Sequence, residues 1–471
     1  MDTTSAAGPQ PCAGLSPIWP DDPKPLVRQL IAERREKLVV LDDDPTGTQT
    51  VYDVPVLTTW DVSSLQAELS RDCPCFYLLT NSRGLVAEAA RELNLEIAHN
   101  LQAAAREADC GFALVSRSDS TLRGHYPTET DALSEVAGPF QATIIAPYFE
   151  AGGRLTVGDV HYVVEGGRWT PAAETPFARD AVFGYRHSNL REWVEEKTGG
   201  RVKAAEVCSV GVEMLRSAAV GDMPAHAVAE HLRSLPLGSV CVVNACDPRD
   251  MEVFALATLL AERAGARFVY RTAAQFVAAR LGLEPRPLWQ PAKDHAAAGR
   301  GLVVVGSYVP KTTEQLQSLL RDSLLTPIEL SVERLVTSSR DEEIARAVQG
   351  IQEAFRSGRD VVVYTSRQLV TAIGAQENLA IGQRVSAALV ELVQRLESCP
   401  RYLVAKGGIT SSDVATRGLG VRRAMVLGQI LPGIPVWELG PESRFPGLPY
   451  VVFPGNVGGA DALSQVVLKL R

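Results

Sequence analysis

The densest chemistry in the chain is Leu41-Asp42-Asp43-Asp44-Pro45-Thr46-Gly47-Thr48-Gln49-Thr50. Three adjacent carboxylates repel one another unless a cation, a hydroxyl-bearing ligand or a basic residue answers them. They follow the apolar run Leu38–Leu41, which reads as a buried strand. Acids at the C-terminal end of a parallel strand lie on the ligand-binding edge of an open α/β sheet. The plain alternative is a solvated acidic turn closed by Pro45 and Gly47; the abutting strand favours a function.

A second cluster, Ser116-Arg117-Ser118-Asp119-Ser120-Thr121-Leu122-Arg123-Gly124-His125, follows the apolar run Phe112–Val115. Arginine supplies a two-pronged fork for a carboxylate, and Ser, Thr and Asp match sugar hydroxyls. Asp119, Ser120 or Thr121 could instead simply cap a helix. Thr80-Asn81-Ser82-Arg83-Gly84 repeats the theme after Phe76–Leu79. Three strands that each end in polar, charged loops should converge on one edge.

Further along, glycine loops follow apolar runs: Gly306-Ser307, Lys406-Gly407-Gly408-Ile409-Thr410-Ser411-Ser412, and Pro454-Gly455-Asn456-Val457-Gly458-Gly459. Glycine lets backbone N–H groups approach an anion, and a helix that starts after the loop adds its positive end. A helix from Asp413 would make Gly407–Ser412 a phosphate cradle, although paired glycines also mark ordinary turns. The chain contains neither G-x-x-x-x-G-K-[ST] nor a clean G-x-G-x-x-G after a strand. The histidines show no metal-ligand spacing; His226 and His231 lie five apart on a helix, a poor offset for shared ligation. No metal site is expected.

The elements that must hold these residues alternate. Buried-strand candidates Leu38–Leu41, Phe76–Leu79, Phe112–Val115, Thr143–Ala146 and Val240–Val243 are separated by helical patterns at Val62–Glu68, Val86–Arg106, Thr128–Ala137, Ala225–Ser234 and Met251–Ala264. Such alternation predicts a mostly parallel sheet covered on both faces. Residues 147–200 break the rhythm and predict loops or an excursion over the sheet. A second series begins at Leu302–Val305 and continues through Ile328–Leu330, Val361–Tyr364, Tyr402–Val404, Pro435–Leu439 and Tyr450–Phe453, with helices at 341–357, 376–397 and 413–425. In the first of those helices Ile344, Val348, Ile351 and Phe355 share one face.

The expected fold is therefore α/β: two α/β domains with mostly parallel sheets and an interdomain active-site cleft. The boundaries are a disordered tail over 1–24, a first domain over 25–285, a proline-rich linker over 286–300 and a second domain over 301–471. Lys+Arg number 47 against 55 Asp+Glu, a net charge of −8 without like-charge blocks. That balance argues against nucleic acid as a partner. The eight cysteines include Cys241 and Cys110 in or beside apolar runs, where Cys acts as a small buried hydrophobe. Cys73-Pro74-Cys75 is too tight for a C-x-x-C pair. With no apolar run near the ~18 residues of a membrane span and no signal-peptide pattern, no membrane partner is expected and the cytoplasm is the default location.

Taken together, these residues resemble the four-carbon acid sugar kinase family, long grouped as a domain of unknown function and in some plant pathogens labelled Hrp-dependent type III effectors. The likeness runs over about 37–467. It rests on Asp43-Asp44-Pro45-Thr46-Gly47 (the family's D-D-x-T-G), Asn81-Ser82-Arg83, Asp119-Ser120-Thr121-Leu122-Arg123-Gly124 and Glu174–Asp180. In the second half it takes in Gly306-Ser307, Gly407-Gly408-Ile409-Thr410 and Gly455-Asn456-Val457-Gly458.

The resemblance implies an N-terminal sugar-acid-binding domain, a C-terminal nucleotide-binding domain, and ATP-dependent phosphorylation of a tetronate-type substrate at its terminal hydroxyl, with ATP and Mg²⁺ as cofactors. By motif position, Asp43, Arg83, Arg117, Ser118, Asp119, Ser120 and Arg123 would hold the sugar acid. Asp44, or Asp43, would accept or orient the hydroxyl proton. Ser307, Gly407, Gly408, Ile409, Thr410, Gly455 and Asn456 would hold ATP, and domain closure would exclude water. Association as a homodimer is left open.

Two departures stand out. Thr48-Gln49-Thr50 replaces the usual Ala and acid, which leaves the substrate open. Phe453-Pro454 replaces a common Lys-Ser, which removes a phosphate-binding lysine; Lys406 could substitute, but at a helix start it is expected to be exposed. The rival readings are an NAD-linked oxidoreductase of a small hydroxy acid, and a non-catalytic effector that retains the kinase fold.

Overall fold

The computed structural model describes residues 11–218, 222–291, 299–321, 325–367 and 375–471. In chain order the strands are β1 (Glu36–Asp42), β2 (Val54–Leu57), β3 (Cys75–Leu79), β4 (Gly111–Arg117), β5 (Ala142–Ala146) and β6 (Arg154–Val157). Next come β7 (Val160–Glu165), β8 (Arg168–Pro171), β9 (Cys208–Val210), β10 (Ser239–Val243), β11 (Phe268–Thr272) and β12 (Leu302–Val305). The last are β13 (Leu325–Leu330), β14 (Asp360–Thr365), β15 (Leu403–Lys406), β16 (Arg423–Leu431), β17 (Ile434–Leu439) and β18 (Pro449–Phe453).

The chain divides into two compact units, the first made of residues up to Thr50 with Thr59–Pro285, the second of Val51–Thr58 with Arg286–Arg471. The stretch expected as one continuous domain over 25–285 is therefore interrupted. Val51–Thr58 belong with the second unit because β2 pairs antiparallel with β16, Val54 opposite Val426.

In the first unit the sheet order is β3-β1-β4-β11-β5-β10-β9, and every pairing is parallel. Leu38–Leu41 are buried on both faces, as continuous apolar strands must be when helices cover the two sides. From β1 the chain goes to β3 on one flank and then to β4 on the other, so the loops after β1 and β4 diverge at a topological switch. Helices Val62–Leu69, Ala87–Ala108, Thr128–Ala137, Pro224–Ser234 and Pro248–Arg263 lie within a few residues of the ranges expected. Asp247 starts the last of these with a reciprocal capping box closed by Asp250.

The irregular stretch is more ordered than loops: β6-β7-β8 form a small antiparallel sheet, and helix Leu190–Lys197 follows. Trp193 and Val194 of that helix are buried with Leu122, Tyr126, Ile145 and Val242 in one apolar cluster. The tail is also more ordered than expected beyond its first ten residues, which lie outside the described part. Ser16 N–H donates to Glu213 Oε1 (3.0 Å) and Arg216 Nη1 to the Ser16 carbonyl (2.9 Å). All eight cysteines are free; Cys241 is buried, whereas Cys110 is only half-buried.

The second unit's sheet runs β13-β14-β12-β15-β18 in parallel, then turns antiparallel through β17, β16 and β2. The helix expected over 413–425 is corrected: it starts at Gly408, ends in a π turn over Val414–Gly418, and Arg423–Leu431 is strand β16. The alternation of buried Ala424, Val426, Gly428 and Ile430 along β16 is the period of a strand. Helix Arg340–Arg356 buries Ile344 and Ile351 but pairs them with Ala347 and Ala354 instead of Val348 and Phe355. The first residues of the expected linker are held: Trp289 N–H donates to the Gln429 carbonyl at 2.7 Å and its ring packs on the second unit's core. Residues 292–298 of that linker lie outside the described part.

Candidate functional site

In the first unit the polar loops meet at the C-terminal ends of β3, β1, β4 and β11. Short backbone bonds carry the ladder past the strand ends: Thr80 N–H to Asp42 O (3.0 Å), Asp43 N–H to Arg117 O (3.3 Å) and Ser118 N–H to Thr272 O (2.9 Å). The excursion fixes the next loop from above. His161 Nε2 donates to the Ser120 carbonyl (2.8 Å), and Tyr185 hydroxyl donates to the Thr121 carbonyl (2.9 Å). Burial drops the His161 pKa to about 4, so its ring is neutral and its second nitrogen faces the Thr156 hydroxyl at 2.9 Å. The loop is strained as well as held: Leu122, fully buried, has φ 69° and Gly124 φ 122°. A bulky residue at positive φ costs about 1–2 kcal/mol and persists only where its surroundings dictate it.

The three acids are answered by arginines. Arg83 grips Asp43 with Nε and Nη2 and reaches Asp44 Oδ2 at 3.4 Å. Arg117 Nη1 stands 3.1 Å from Asp42 Oδ1 and 3.6 Å from Asp43 Oδ1. Arg123 Nε bonds Asp119 Oδ2 at 2.6 Å, and its Nη1 lies 3.5 Å from Asp180. Asp42, Asp43, Asp44, Arg83, Arg117, Ser118, Asp119, Ser120 and Arg123 thus share one edge. Among the described residues no cluster of His, Cys, Asp or Glu has the makings of a metal site.

Their environments differ. The side chains of Asp42 and Asp43 are 2% and 3% exposed, that of Asp44 23%. Burial lifts the Asp42 pKa to about 7 against the pull of Arg117, and the neighbouring Asp43 and Asp44 charges add to the rise. For Asp44, burial is outweighed by Arg83, Arg117 and the Thr46 hydrogen bonds, so its carboxyl titrates below the usual range. Asp119 is held further down, Arg83 and Arg123 outweighing its burial. Asp44, the accessible acid of the triplet, is therefore ionised.

Three participants were hidden from sequence reading. Glu129, on the first turn of helix Thr128–Ala137, accepts from the Ser82 hydroxyl, and burial with the nearby Asp43 charge raises its pKa to about 7. Arg271 and Thr272 end β11, a strand whose apolar core is only Phe268–Tyr270; its place between two helices was the available signal. Ser118 Oγ, Thr272 Oγ1 and Arg117 Nε are buried without a hydrogen-bond partner among the described residues.

The second unit gathers its glycine loops at the switch between β12 and β15. Gly407 N–H donates to Phe453 O (2.8 Å), while Gly306 and Ser307 N–H approach Lys406 O (3.3 Å). Thr312 hydroxyl bridges Ser307 Oγ (3.2 Å) and Gly455 O (3.0 Å). A Cβ on Gly306 would fall 2.2 Å from Thr410 Oγ1, and one on Gly407, whose φ is +121°, 3.0 Å from Ser307 Cβ. Ser307, Gly407, Gly408, Thr410 and Gly455 are thus brought together at the start of the helix that begins at Gly408. Ile409 projects outward, 73% exposed, and Asn456 is exposed on the last loop.

Lys406 is not the exposed residue expected. It is completely buried, donates to the carbonyls of Pro454 and Gly455, and lies 4.0 Å from the centre of the Phe453 ring. Burial and the Lys311 charge lower its pKa to about 7. It clamps the final loop to β15, and Phe453, one of the departures noted in the sequence, is the surface it rests on.

The fold and these loops define a two-unit α/β protein, one unit carrying an acid–arginine edge and the other a glycine-rich turn at a helix start. Residues 38–280 match the model of a sugar-binding N-terminal domain, and residues 302–463 that of a nucleotide-binding C-terminal domain. The chain belongs to the four-carbon acid sugar kinase family. It is 27% identical over 376 residues to a Cupriavidus necator protein named D-threonate kinase, covering 78% of this chain and 80% of that one. A Salmonella typhimurium protein of the same name is 24% identical over 457 residues, 92% of this chain and 98% of its own. The fold is shared with a solved Haemophilus influenzae protein (TM-score 0.62, 19% identity, 91% of this chain and 98% of that one). A solved Salmonella typhimurium protein shares it likewise (TM-score 0.66, 18% identity, 91% and 98%). Among the described residues no helix is long and apolar enough to cross a membrane.

Proposed function

We propose that this protein is an ATP-dependent kinase that phosphorylates a small sugar acid of the tetronate type (threonate, erythronate or a 3-oxo-tetronate) at its terminal hydroxyl. The observation that carries the reading is Asp44: an accessible, ionised carboxylate at a sheet edge crowded with hydroxyls and guanidinium groups. Two relatives named D-threonate kinase support the substrate class.

In the proposed reaction the substrate's terminal oxygen attacks the γ-phosphorus of ATP. A new P–O bond forms, the bond between the γ-phosphorus and the β–γ bridging oxygen breaks, and ADP leaves with that electron pair. Asp44 takes or orients the hydroxyl proton; a loose phosphoryl transition state asks for positioning more than for a strong base, which suits a carboxylate of low pKa. Asp43, Ser118, Asp119 and Ser120 orient the sugar hydroxyls, and Arg83, Arg117 and Arg123 set the charge of the edge. Ser307, Gly407, Gly408, Ile409, Thr410, Gly455 and Asn456 hold ATP; the close approach at Gly306 and Gly407 fits backbone cradling of phosphate. Mg²⁺ bound to the nucleotide neutralises phosphate charge. A reaction that draws on ATP in this way belongs in the cytoplasm.

The test is ATP consumption across a panel of four-carbon sugar acids. Turnover of one or more, with a phosphorylated product, is expected; no turnover across the panel rules the reading out.

A further inference from the structure

The arginines that the sequence motifs offer for a substrate carboxylate are already engaged: Arg83, Arg117 and Arg123 each face two carboxylates within 3.6 Å. Arg271, at the end of β11 and outside every motif, differs. It is 2% exposed, yet it makes no ion pair among the described residues. Its guanidinium lies 4.9 Å from the centre of the Trp193 ring and 5.4 Å from that of Tyr126. The hydrogen bond that ties it to the loop runs from Nη2 to the Arg123 carbonyl, at 3.2 Å.

A buried guanidinium without a carboxylate partner is unfavourable unless something else answers it. The two rings, one carbonyl and the charges of Asp43, Glu129 and Asp119 beyond ion-pair distance satisfy part of its charge and few of its five donors. Gly124 shows what this end of the guanidinium looks onto. A Cβ there would stand 3.8 Å from Arg271 Nη2, 3.3 Å from Asp43 Oδ2 and 3.9 Å from Ser118 Cβ. The guanidinium thus comes up to the same turn as the Asp43 carboxylate and Ser118, whose buried Oγ lacks a partner among the described residues.

We infer that Arg271 reads the carboxylate of the sugar acid, which takes the place of the Arg123 carbonyl as acceptor, while Ser118 Oγ bonds the neighbouring hydroxyl of the substrate. The inference rests on the sugar-acid reading above and assigns one end of that substrate. A fork seated beside two stacked aromatic rings is preorganised for two-point recognition of a carboxylate. The motif arginines then tune the acids of the edge, and Arg271 selects acids over neutral polyols.

The experiment is steady-state kinetics with D-threonate and ATP on Arg271→Ala and Arg271→Lys. Loss of a desolvated charge pair should raise the D-threonate KM by about 100-fold in Arg271→Ala and leave the ATP KM within about twofold. Added guanidinium ion should restore activity to Arg271→Ala, as it would not for a residue that merely fills space. Arg271→Lys, which keeps length and charge but loses the fork, should fall between, and decides the matter alone if the alanine variant does not fold. Wild-type turnover of four-carbon acids with an unchanged D-threonate KM in the variants overturns the inference alone. So does a fall in kcat with no change in KM and no guanidinium rescue. A wild-type protein that phosphorylates no four-carbon acid overturns the functional reading, and the inference with it.

Discussion

Arg83 holds Asp43 with two donors, Nε at 3.1 Å and Nη2, but touches Asp44 with only one, at 3.4 Å. Asp43 is thereby locked into the edge, while Asp44 keeps an open face. Asp44→Asn should therefore lower turnover by about 10²–10⁴-fold and leave ATP binding intact, as measured by steady-state rates and nucleotide titration. Near-normal turnover would remove Asp44 from the chemistry.

Glu129 makes a prediction about pH. Its folded pKa, about 7, lies above its ordinary value, so the folded state binds the extra proton between about pH 4.3 and 7. Its stabilising share is fully present below that window and is lost as pH rises through 7. Glu129→Gln, which mimics the protonated form, should melt like the wild type at pH 5 and at higher temperature than the wild type at pH 8. Equal shifts at both values would show that the carboxyl is not protonated in the fold.

Asp119 acts in the opposite direction. Arg83 and Arg123 hold its carboxyl low, so its contribution is present above the unfolded value of about 3.9 and falls away as pH drops below it. Asp119→Asn should reduce stability at pH 7 and flatten the wild type's loss of melting temperature between pH 4 and 2. An acid limb as steep as in the wild type would place that loss elsewhere.

Gly407 combines a positive φ with a close neighbour, Ser307 Cβ at 3.0 Å from an added Cβ. Gly407→Ala should cost about 1–3 kcal/mol in stability and weaken ATP at least about tenfold, while the sugar-acid KM stays put. Calorimetric titration with a non-hydrolysable nucleotide checks it; unchanged affinity would move the cradle off this turn.

Lys406 gives the complementary case. With its Nζ spent on the Pro454 and Gly455 carbonyls, Lys406→Met should loosen the last loop, raising the ATP KM and lowering the melting temperature without touching sugar-acid binding. A melting temperature at the wild-type value would mean that the clamp contributes nothing net.

Much of this was legible in the sequence wherever an apolar run was continuous. The strands carrying Asp42–Asp44, Arg83 and Arg117 all announced themselves as unbroken Val/Leu/Phe runs, because two-sided burial demands it. β11 did not, because Arg271 interrupts it, and the charge is answered there by groups from distant segments, among them the Trp193 and Tyr126 rings and the Arg123 carbonyl. β16 is missed, its first three residues falling in the helix expected over 413–425: its alternation of buried with half-buried side chains is blurred by Gly428 and Gln429. Lys406 shows the same limit. A lysine beside two glycines looks exposed, and only the tertiary contact with Phe453 and the final loop buries it.

The pairing of Val54–Leu57 with Arg423–Val426 has a consequence for synthesis on the ribosome. Strand β2 emerges some 366 residues before its β16 partner begins (Leu57 to Arg423), a wait of roughly 20–70 s at ordinary elongation rates. Through that interval β2 lacks its β16 partner. A gene cut at codon 286 would not yield two self-sufficient halves: the downstream product would expose the edge of β16, a template for aggregation, until the short N-terminal strand was restored to it.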